Sequence, residues 1–292
     1  MTVSIDAKTA VVAAVDGSAN GLDGVRWAAT AAARQKRDLQ IVSVVELPTA
    51  PHFGEVVNTA AAYTDASRAF AEEALDIAKN VAGEAAPGVA VDTAVLDGRP
   101  AAVLQELTAT AHTLVVGRRG RGRVEALLLG SVSSHLAAHA ECPVVVVPES
   151  PSTTGPVVVG VDGSELSAAA VDLAFQAAND LGAKLVAVHT YGDGVISQGL
   201  YEEDMGRIAR AASAFLDSEL AEGRAAYPKV AVETVVTGAE SAEEILGAAT
   251  DGQLVVVGTR GHGGFAGMLL GSTSQAVLHA APCAVMVVPK AG

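Results

Sequence analysis

The chain has 292 residues, half of them hydrophobic, mainly alanine and valine, and only 3% aromatic. This length suits two domains better than one. The formal net charge of −14 argues against nucleic acid or an anionic membrane as a partner, because binding to either needs a cationic face.

The N-terminus and the apolar runs predict a cytoplasmic location. Residues 1–6 contain no basic region followed by an apolar run, so no signal peptide is expected. The apolar runs are all shorter than the roughly 18 residues that a membrane span requires. We therefore expect a cytoplasmic protein without a membrane partner.

The first half of the chain alternates valine-rich apolar runs with alanine-rich stretches, which predicts the order β-α-β-α-β-α-β-α-β. The predicted strands lie near 10–15, 40–45, 90–95, 113–117 and 143–147, and the predicted helices near 19–37, 64–84, 100–111 and 131–140. Continuous apolar strands are typical of a parallel sheet covered on both faces, with right-handed crossovers.

The second half repeats the plan. Its predicted strands lie near 156–161, 184–190, 229–236, 253–257 and 284–288, and its helices near 165–181, 202–225, 240–250 and 272–281. Two irregular segments, 48–62 and 191–200, follow the second strand of each half. We expect them to form mobile flaps at the sheet edge.

The two halves are copies of one domain. Residues 11–18 align with 157–164 at an offset of 146, and the C-terminal thirds align without gaps at an offset of 141. The segment 150–156 is short and polar, with proline and glycine, which is typical of a linker. The sequence predicts an α/β fold with a five-stranded parallel sheet in each of two domains, at 1–149 and 156–292.

A glycine pattern, G-x2-G-x9-G-S, occurs once in each half, between a predicted strand and a predicted helix. Its residues are Gly117, Gly120, Gly130 and Ser131 in the first half, and Gly258, Gly261, Gly271 and Ser272 in the second. Glycines let the backbone approach an anion closely, and the N–H groups of a helix N-terminus attract it. The pattern predicts a phosphate-binding loop, and its occurrence in both halves argues against chance.

Two further features should meet this loop, because ligands of an open parallel sheet bind beyond the carboxyl ends of the strands. The first feature directly follows the first strand and consists of Asp16 and Gly17 in the first half, and Asp162 and Gly163 in the second. The other is the end of the second strand, at Val44 in the first half and Thr190 in the second. An aspartate beside phosphates is useful if it binds a ribose hydroxyl or a divalent cation. The alternative is a turn or helix-cap role, since D-G-S is common in turns.

Other polar residues near the loops have two interpretations each. Ser131 and Ser272 fit plain N-cap residues as well as phosphate ligands. The loop arginines and one histidine either contact phosphate or form a solvated patch; they are Arg118, Arg119, Arg121, Arg123, Arg260 and His262. His189, near the end of the second strand of the second half, fits a buried, hydrogen-bonded histidine better than a catalyst.

Competing motifs are absent from the sequence. It contains no G-x-x-x-x-G-K-[ST] P-loop and no G-x-S-x-G nucleophile elbow. Residues 261–266 fit G-x-G-x-x-A, but no acidic residue follows about 20 residues later, as a dinucleotide fold requires. Cys142 and Cys283 hold equivalent positions at the start of a predicted strand, which favours small core residues over a disulfide or metal site.

The Asp-Gly-Ser turn, the G-x2-G-x9-G-S loop and the terminal C-P-V-V-V-V-P strand together resemble the universal stress protein family, over essentially the whole chain and as a tandem of two domains. The resemblance implies a Rossmann-like fold of the adenine nucleotide alpha hydrolase type. It also implies the ATP-binding branch, in which the loop holds ribose and phosphates. The implied site residues are Asp16, Gly17, Val44, Gly117, Gly120, Gly130 and Ser131, and Asp162, Gly163, Thr190, Gly258, Gly261, Gly271 and Ser272.

The function that this resemblance implies is an ATP-binding regulator in stress response, dormancy or growth control, with Mg²⁺ held through the nucleotide at Asp16 and Asp162. The alternatives are a slow ATPase or phosphotransferase, and an adaptor dimer that binds an adenine nucleotide incidentally. Because the sequence offers no clear catalytic base, we expect at most a weak ATPase activity. The resemblance further implies pairing of the two domains through strands 144–147 and 285–288, and a homodimer. No residue identifies a protein partner.

Overall fold

The computed structural model of the chain describes residues 10–46, 57–120, 129–192, 202–261 and 269–290, with only the backbone described at 57–61 and 202–204. The chain divides into two compact units, Met1–Ser150 and Pro151–Gly292. Among the helices of these ranges, none combines the length and the apolar character needed to cross a bilayer.

Unit 1 is a five-stranded sheet in which every pairing is parallel, in the order β3-β2-β1-β4-β5. Its strands are β1 (Val11–Ala14), β2 (Leu39–Val45), β3 (Val91–Asp97), β4 (Thr113–Gly117) and β5 (Val144–Val147). Its helices are α1 (Ala19–Gln35), α2 (Val57–Ala85), α3 (Pro100–Thr108) and α4 (Ser131–His139).

Unit 2 has the same arrangement, with parallel strands in the order β10-β9-β6-β7-β8. Its strands are β6 (Val157–Gly160), β7 (Leu185–Thr190), β8 (Val232–Thr237), β9 (Leu254–Gly258) and β10 (Ala284–Val288). Its helices are α5 (Glu165–Leu181), α6 (Glu202–Glu219), α7 (Ala221–Ala226), α8 (Ser241–Ala248) and α9 (Ser272–Ala280).

The predicted α/β class with a parallel sheet in each half is confirmed. The central strands are continuous apolar runs that are buried along almost their whole length, as in β1 and β4, because helices cover both faces of the sheet. In both units the second and third strands lie on one side of the first strand, and the fourth and fifth strands lie on its other side. The strand order therefore reverses between β1 and β4 in unit 1 and between β6 and β9 in unit 2. This reversal creates a crevice at the carboxyl ends of those strands.

The first helix of each unit is fixed by local capping. The Ser18 hydroxyl accepts a hydrogen bond from Gly21 N–H at 3.1 Å, and the Ser164 hydroxyl accepts one from Ser167 N–H at 3.2 Å. Each helix ends at a left-handed residue, Lys36 in unit 1 and Gly182 in unit 2. The Asp-Gly-Ser turn thus places the start of the helix directly after the first strand.

Two helix predictions were wrong. Helix α2 begins at Val57, seven residues before the predicted start at 64, so 57–62 are helical rather than part of a flap. The remaining flap residues, 48–56 and 193–200, lie outside the described ranges. The helix predicted over 202–225 breaks at Leu220, which is fully buried, into α6 and α7. Glu219, Ala221 and Glu222 around the break are good helix formers, so helix propensity does not predict a break at this position.

Candidate functional site

A crevice lies at the carboxyl ends of the central strands in each unit, and most of the predicted site residues line it. The unit 1 cavity has a volume of about 660 Å³ and the unit 2 cavity about 490 Å³. The predicted residues in the linings are Asp16, Val44, Gly117, Gly120, Gly130 and Ser131, and Asp162, Thr190, Gly258, Gly261, Gly271 and Ser272. Residues from four separate elements therefore meet in one cavity per unit.

The remaining two predicted residues, Gly17 and Gly163, are not part of these linings. They form the turn after the first strand with φ of +81° and +83°, a conformation that glycine adopts without strain. A side chain there would also meet an aromatic ring, Phe70 in unit 1 and Phe215 in unit 2. These glycines therefore form the turn that holds Asp16 in unit 1 and Asp162 in unit 2.

Asp16 and Asp162 combine the turn role with a position in the cavity. The Ser18 N–H donates to Oδ1 of Asp16 at 3.0 Å. In unit 2 both the N–H and the hydroxyl of Ser164 donate to Oδ1 of Asp162, at 3.0 and 2.7 Å. The other carboxylate oxygen, Oδ2, faces the glycine loop in both units. The turn therefore fixes the direction of the carboxylate that borders the crevice.

The glycines of the loops are required for close approach. A Cβ on Gly120 would overlap Oδ2 of Asp16, and one on Gly261 would overlap Oδ2 of Asp162. A Cβ on Gly117 would lie 2.9 Å from the carbonyl oxygen of Asn20, inside the first turn of α1. The second glycine of each pattern thus lies against the cavity carboxylate, whereas Gly117 lies against a helix.

The N-termini of α4 and α9 open into the cavities without a side-chain cap. Their N-cap residues are Gly130 and Gly271, with extended backbone and no side-chain hydrogen bond. Ser131 and Ser272 are the first helical residues, so their interpretation as plain N-caps was wrong. A helix start with a glycine cap leaves its first N–H groups to water or a ligand, and the helix dipole favours an anion at this place.

A serine that the sequence analysis missed joins the loop to this helix. The Ser133 hydroxyl donates to the Gly117 carbonyl at 2.8 Å, and the Ser274 hydroxyl donates to the Gly258 carbonyl at 2.7 Å. Both serines are buried and both line their cavity. The G-x2-G-x9-G-S-x-S repetition in the two halves was the available signal.

The second-strand side of the cavity differs between the units. In unit 1 Val44, Pro100 and Leu104 give this side an apolar surface, and the carboxylate of Glu46 follows the end of the strand. In unit 2 the Thr190 and Ser241 hydroxyl groups lie 2.5 Å apart and hydrogen bond to each other. These positions correspond through the repeat, so one fold carries an apolar wall in unit 1 and a hydroxyl pair in unit 2.

Cationic and imidazole groups also border the cavities. Arg119 lines the first and Arg260 the second, where its Nε donates to the Leu269 carbonyl at 3.3 Å. His189 lines the second cavity, and its Nδ1 carries a proton because it lies 2.8 Å from the Val161 carbonyl, which can only accept. The predicted loop residues Arg121, Arg123 and His262 lie outside the described ranges, and Arg118 is not among the lining residues.

The two cysteines are buried thiols. Burial raises the pKa of Cys142 to about 12, and no group of His, Cys, Asp and Glu among the described residues could hold a metal ion. We expect a thiol reagent such as Ellman's reagent to label neither cysteine of the native protein at pH 8, and to label both in denaturant. Rapid labelling of Cys142 in the native protein would contradict the burial.

The chain matches known proteins along nearly its whole length. The sequence model of the universal stress protein family (Usp) matches it twice, over residues 9–148 and 153–289. Universal stress protein Rv2005c of Mycobacterium tuberculosis is 36% identical over 284 residues, covering 95% of this chain and 96% of that protein. Universal stress protein Rv1996 of the same organism is 35% identical, covering 95% of this chain and 94% of that protein.

A solved structure shows the same fold. A universal stress protein from Archaeoglobus fulgidus has a TM-score of 0.70 at 20% identity, over 98% of this chain and 99% of that chain. Together with the two family matches, this identifies the fold of both units. The chain belongs to the universal stress protein family, as a tandem of two family domains.

Proposed function

We propose that each unit binds one adenine nucleotide, with ATP as the expected ligand, and that the chain is a nucleotide-dependent regulator in stress response, dormancy or growth control. The observation that carries the proposal is the cavity of each unit. There the aspartate turn, the glycine loop, the end of the second strand and a glycine-capped helix start line one space of about 660 or 490 Å³. Cavities of roughly 300–1,000 Å³ are typical of small-molecule sites.

The phosphates are assigned to the side of the cavity formed by the loop and the helix start. The N–H groups at the start of α4 and α9 have no side-chain cap, and the helix dipole adds to their attraction for an anion. Arg119 and Arg260 border the same side. In a chain with a net charge of −14, such local donors and cations are what allow a polyphosphate to bind.

The aspartates are assigned to the ribose or to a cation on the phosphates. One oxygen of Asp16 is held by the turn and the other faces the cavity, which suits an acceptor for a ribose hydroxyl. Mg²⁺ is commonly held by one or two carboxylates together with substrate phosphates. Asp16 with Glu46 in unit 1, and Asp162 in unit 2, therefore fit a magnesium–nucleotide complex, and the described residues contain no cluster for a metal without nucleotide.

The base is assigned to the second-strand side. In unit 1 this side is the apolar wall of Val44, Pro100 and Leu104, which can cover a flat aromatic face. In unit 2 Ile245 keeps part of this surface apolar, while Thr190 and Ser241 add hydroxyl groups. An adenine fits both walls, since it combines an apolar face with polar edges.

The hydrogen bonds that the lining residues make within the protein favour a binding role over catalysis. Oδ1 of each aspartate is engaged in its turn, and Nδ1 of His189 is engaged by a carbonyl. Efficient hydrolysis needs a group that orients water opposite the leaving phosphate. Among the described lining residues of unit 1, no histidine stands where His189 does in unit 2, because Ser43 occupies that position.

The test is to identify the small molecules that heat releases from the protein purified without added nucleotide. Mass spectrometry is expected to find ATP. A predominance of ADP would favour the slow ATPase, and turnover that is lost in the variant Asp16→Ala with Asp162→Ala would establish it. Absence of any adenine nucleotide, together with no binding of added ATP at millimolar concentration, would contradict the proposed function.

A further inference from the structure

Asn20 joins two distant parts of unit 1 through a buried amide. Its side chain is 3% exposed, at the start of α1. Its Nδ2 donates to the Val147 carbonyl at the end of β5 at 3.0 Å, and its Oδ1 accepts from the Arg119 N–H at 2.9 Å. One side chain therefore connects the first helix, the last strand and the glycine loop.

The contact to Arg119 is additional to a connection that both units have. In unit 1 the Arg118 N–H donates to the Val147 carbonyl at 2.7 Å, and in unit 2 the Thr259 N–H donates to the Val288 carbonyl at 3.0 Å. Both units thus tie the first loop residue to the last strand. The N–H of the second loop residue, Arg119, is bound by the side-chain amide of Asn20 in unit 1. Unit 2 has Leu166 at the position of Asn20, and a leucine side chain cannot accept this hydrogen bond.

The position of this contact matters because the next residue, Gly120, borders the cavity. Gly120 lies so close to Asp16 that a Cβ would overlap its carboxylate. Holding the Arg119 N–H restrains the direction in which the chain enters Gly120, and Arg119 itself lines the cavity. A loop that is ordered before binding loses less conformational entropy when a ligand orders it.

We propose that Asn20 is a positioning residue for phosphate binding in unit 1, which makes the two sites of the chain unequal. The proposal rests on the proposed function. Asn20 is not among the residues that line the cavity, so it acts through the loop rather than by contact with the ligand. Leu166 holds the equivalent position in unit 2, so Asn20→Leu gives unit 1 the residue that unit 2 has.

The decisive experiment compares ATP with adenosine in a chain whose second site is blocked by Gly261→Val. In this background, Asn20→Leu is expected to raise the Kd for ATP roughly tenfold, or about 1.4 kcal/mol, and to leave the Kd for adenosine within about twofold. Calorimetry for ATP and an NMR titration for adenosine give the two values. Asn179→Leu, which replaces an exposed asparagine of α5, is the matched control and should change neither.

The outcomes separate this inference from the function on which it rests. If the background chain, in which only unit 1 can bind, binds neither ATP nor adenosine, the proposed function of unit 1 fails and the inference fails with it. If ATP binds but Asn20→Leu leaves its Kd unchanged, or weakens ATP and adenosine equally, the site stands and the positioning role is wrong.

Hydrogen exchange gives a second reading without any ligand. We expect the Arg119 amide to exchange at least about tenfold more slowly than that of Arg260 in the wild-type chain, and to lose this protection in Asn20→Leu. Equal exchange of Arg119 in the wild-type and variant chains would show that the Asn20 hydrogen bond does not order the loop.

Discussion

The variant Gly120→Val with Gly261→Val is expected to lose ATP binding in both units, with the Kd rising at least about 100-fold. A Cβ at either position would overlap the carboxylate of Asp16 or Asp162, and that carboxylate cannot turn away without breaking its hydrogen bond to Ser18 or Ser164. The valine methyl groups would also occupy the cavity. A 100-fold loss corresponds to about 2.7 kcal/mol.

The fold should survive this change. Both glycines are exposed, and neither has the positive φ that only glycine adopts easily. The matched control is Gly83→Val with Gly247→Val, one in each unit, where an added Cβ meets nothing within 4 Å. Calorimetry should find wild-type ATP affinity in the control; unchanged affinity in the Gly120 and Gly261 variant would remove the loops from the site.

The pair Gly117→Ala with Gly258→Ala is a less specific test of the same loops. The added Cβ atoms would lie 2.9 Å from the Asn20 carbonyl and 2.9 Å from the Leu166 side chain, both in the first turn of a helix. Any loss of binding there would combine a displaced loop with a displaced helix. The second glycine of each pattern is therefore the better position for mutation.

Phe175→Ala is expected to destabilise unit 2 by about 3–5 kcal/mol, the range for removal of a fully buried aromatic side chain. Phe175 is 0% exposed on α5, and α7 packs on it so closely that a Cβ on Gly223 would overlap the ring. The ring of Tyr227 stacks beside it, with the centroids 6.2 Å apart. Alanine would leave a cavity between the two helices.

The measurement is urea denaturation followed by two probes. Circular dichroism reports both units, whereas Trp27, the single tryptophan of the chain, lies in α1 of unit 1. The Phe175 variant should show an early dichroism transition and a smaller change in the Trp27 fluorescence transition. Tyr63→Ala, at a 60% exposed position, is the control and should shift stability by less than about 0.5 kcal/mol; a comparably small shift for Phe175→Ala would contradict its place in the core.

Much of the fold could be predicted because its signals are local. The buried strands are valine runs such as β5, and the sequence Asp-Gly-Ser indicates the turn after the first strand. The glycine pattern recurs at a fixed spacing in the two halves. The repeat made each half a check on the other. The same signals selected twelve residues that line the two cavities.

What could not be predicted depends on contacts between residues far apart in the sequence. Asn20 meets Arg119 and Val147 across 99 and 127 positions, and nothing in its neighbourhood marks it as different from an ordinary helix residue. The hydrogen bond between the Thr190 and Ser241 hydroxyl groups likewise spans 51 positions. After the break at Leu220, α7 packs against α5 through Gly223 and Phe175, a contact that helix propensity does not encode.

Equilibrium dialysis of the wild-type chain against labelled ATP with Mg²⁺ tests the central claim most directly. The claim is that each unit carries a complete nucleotide site, built from the same four elements. Binding is predicted to saturate at two ATP per chain. Saturation at one ATP per chain, or no binding up to millimolar ATP, would contradict it.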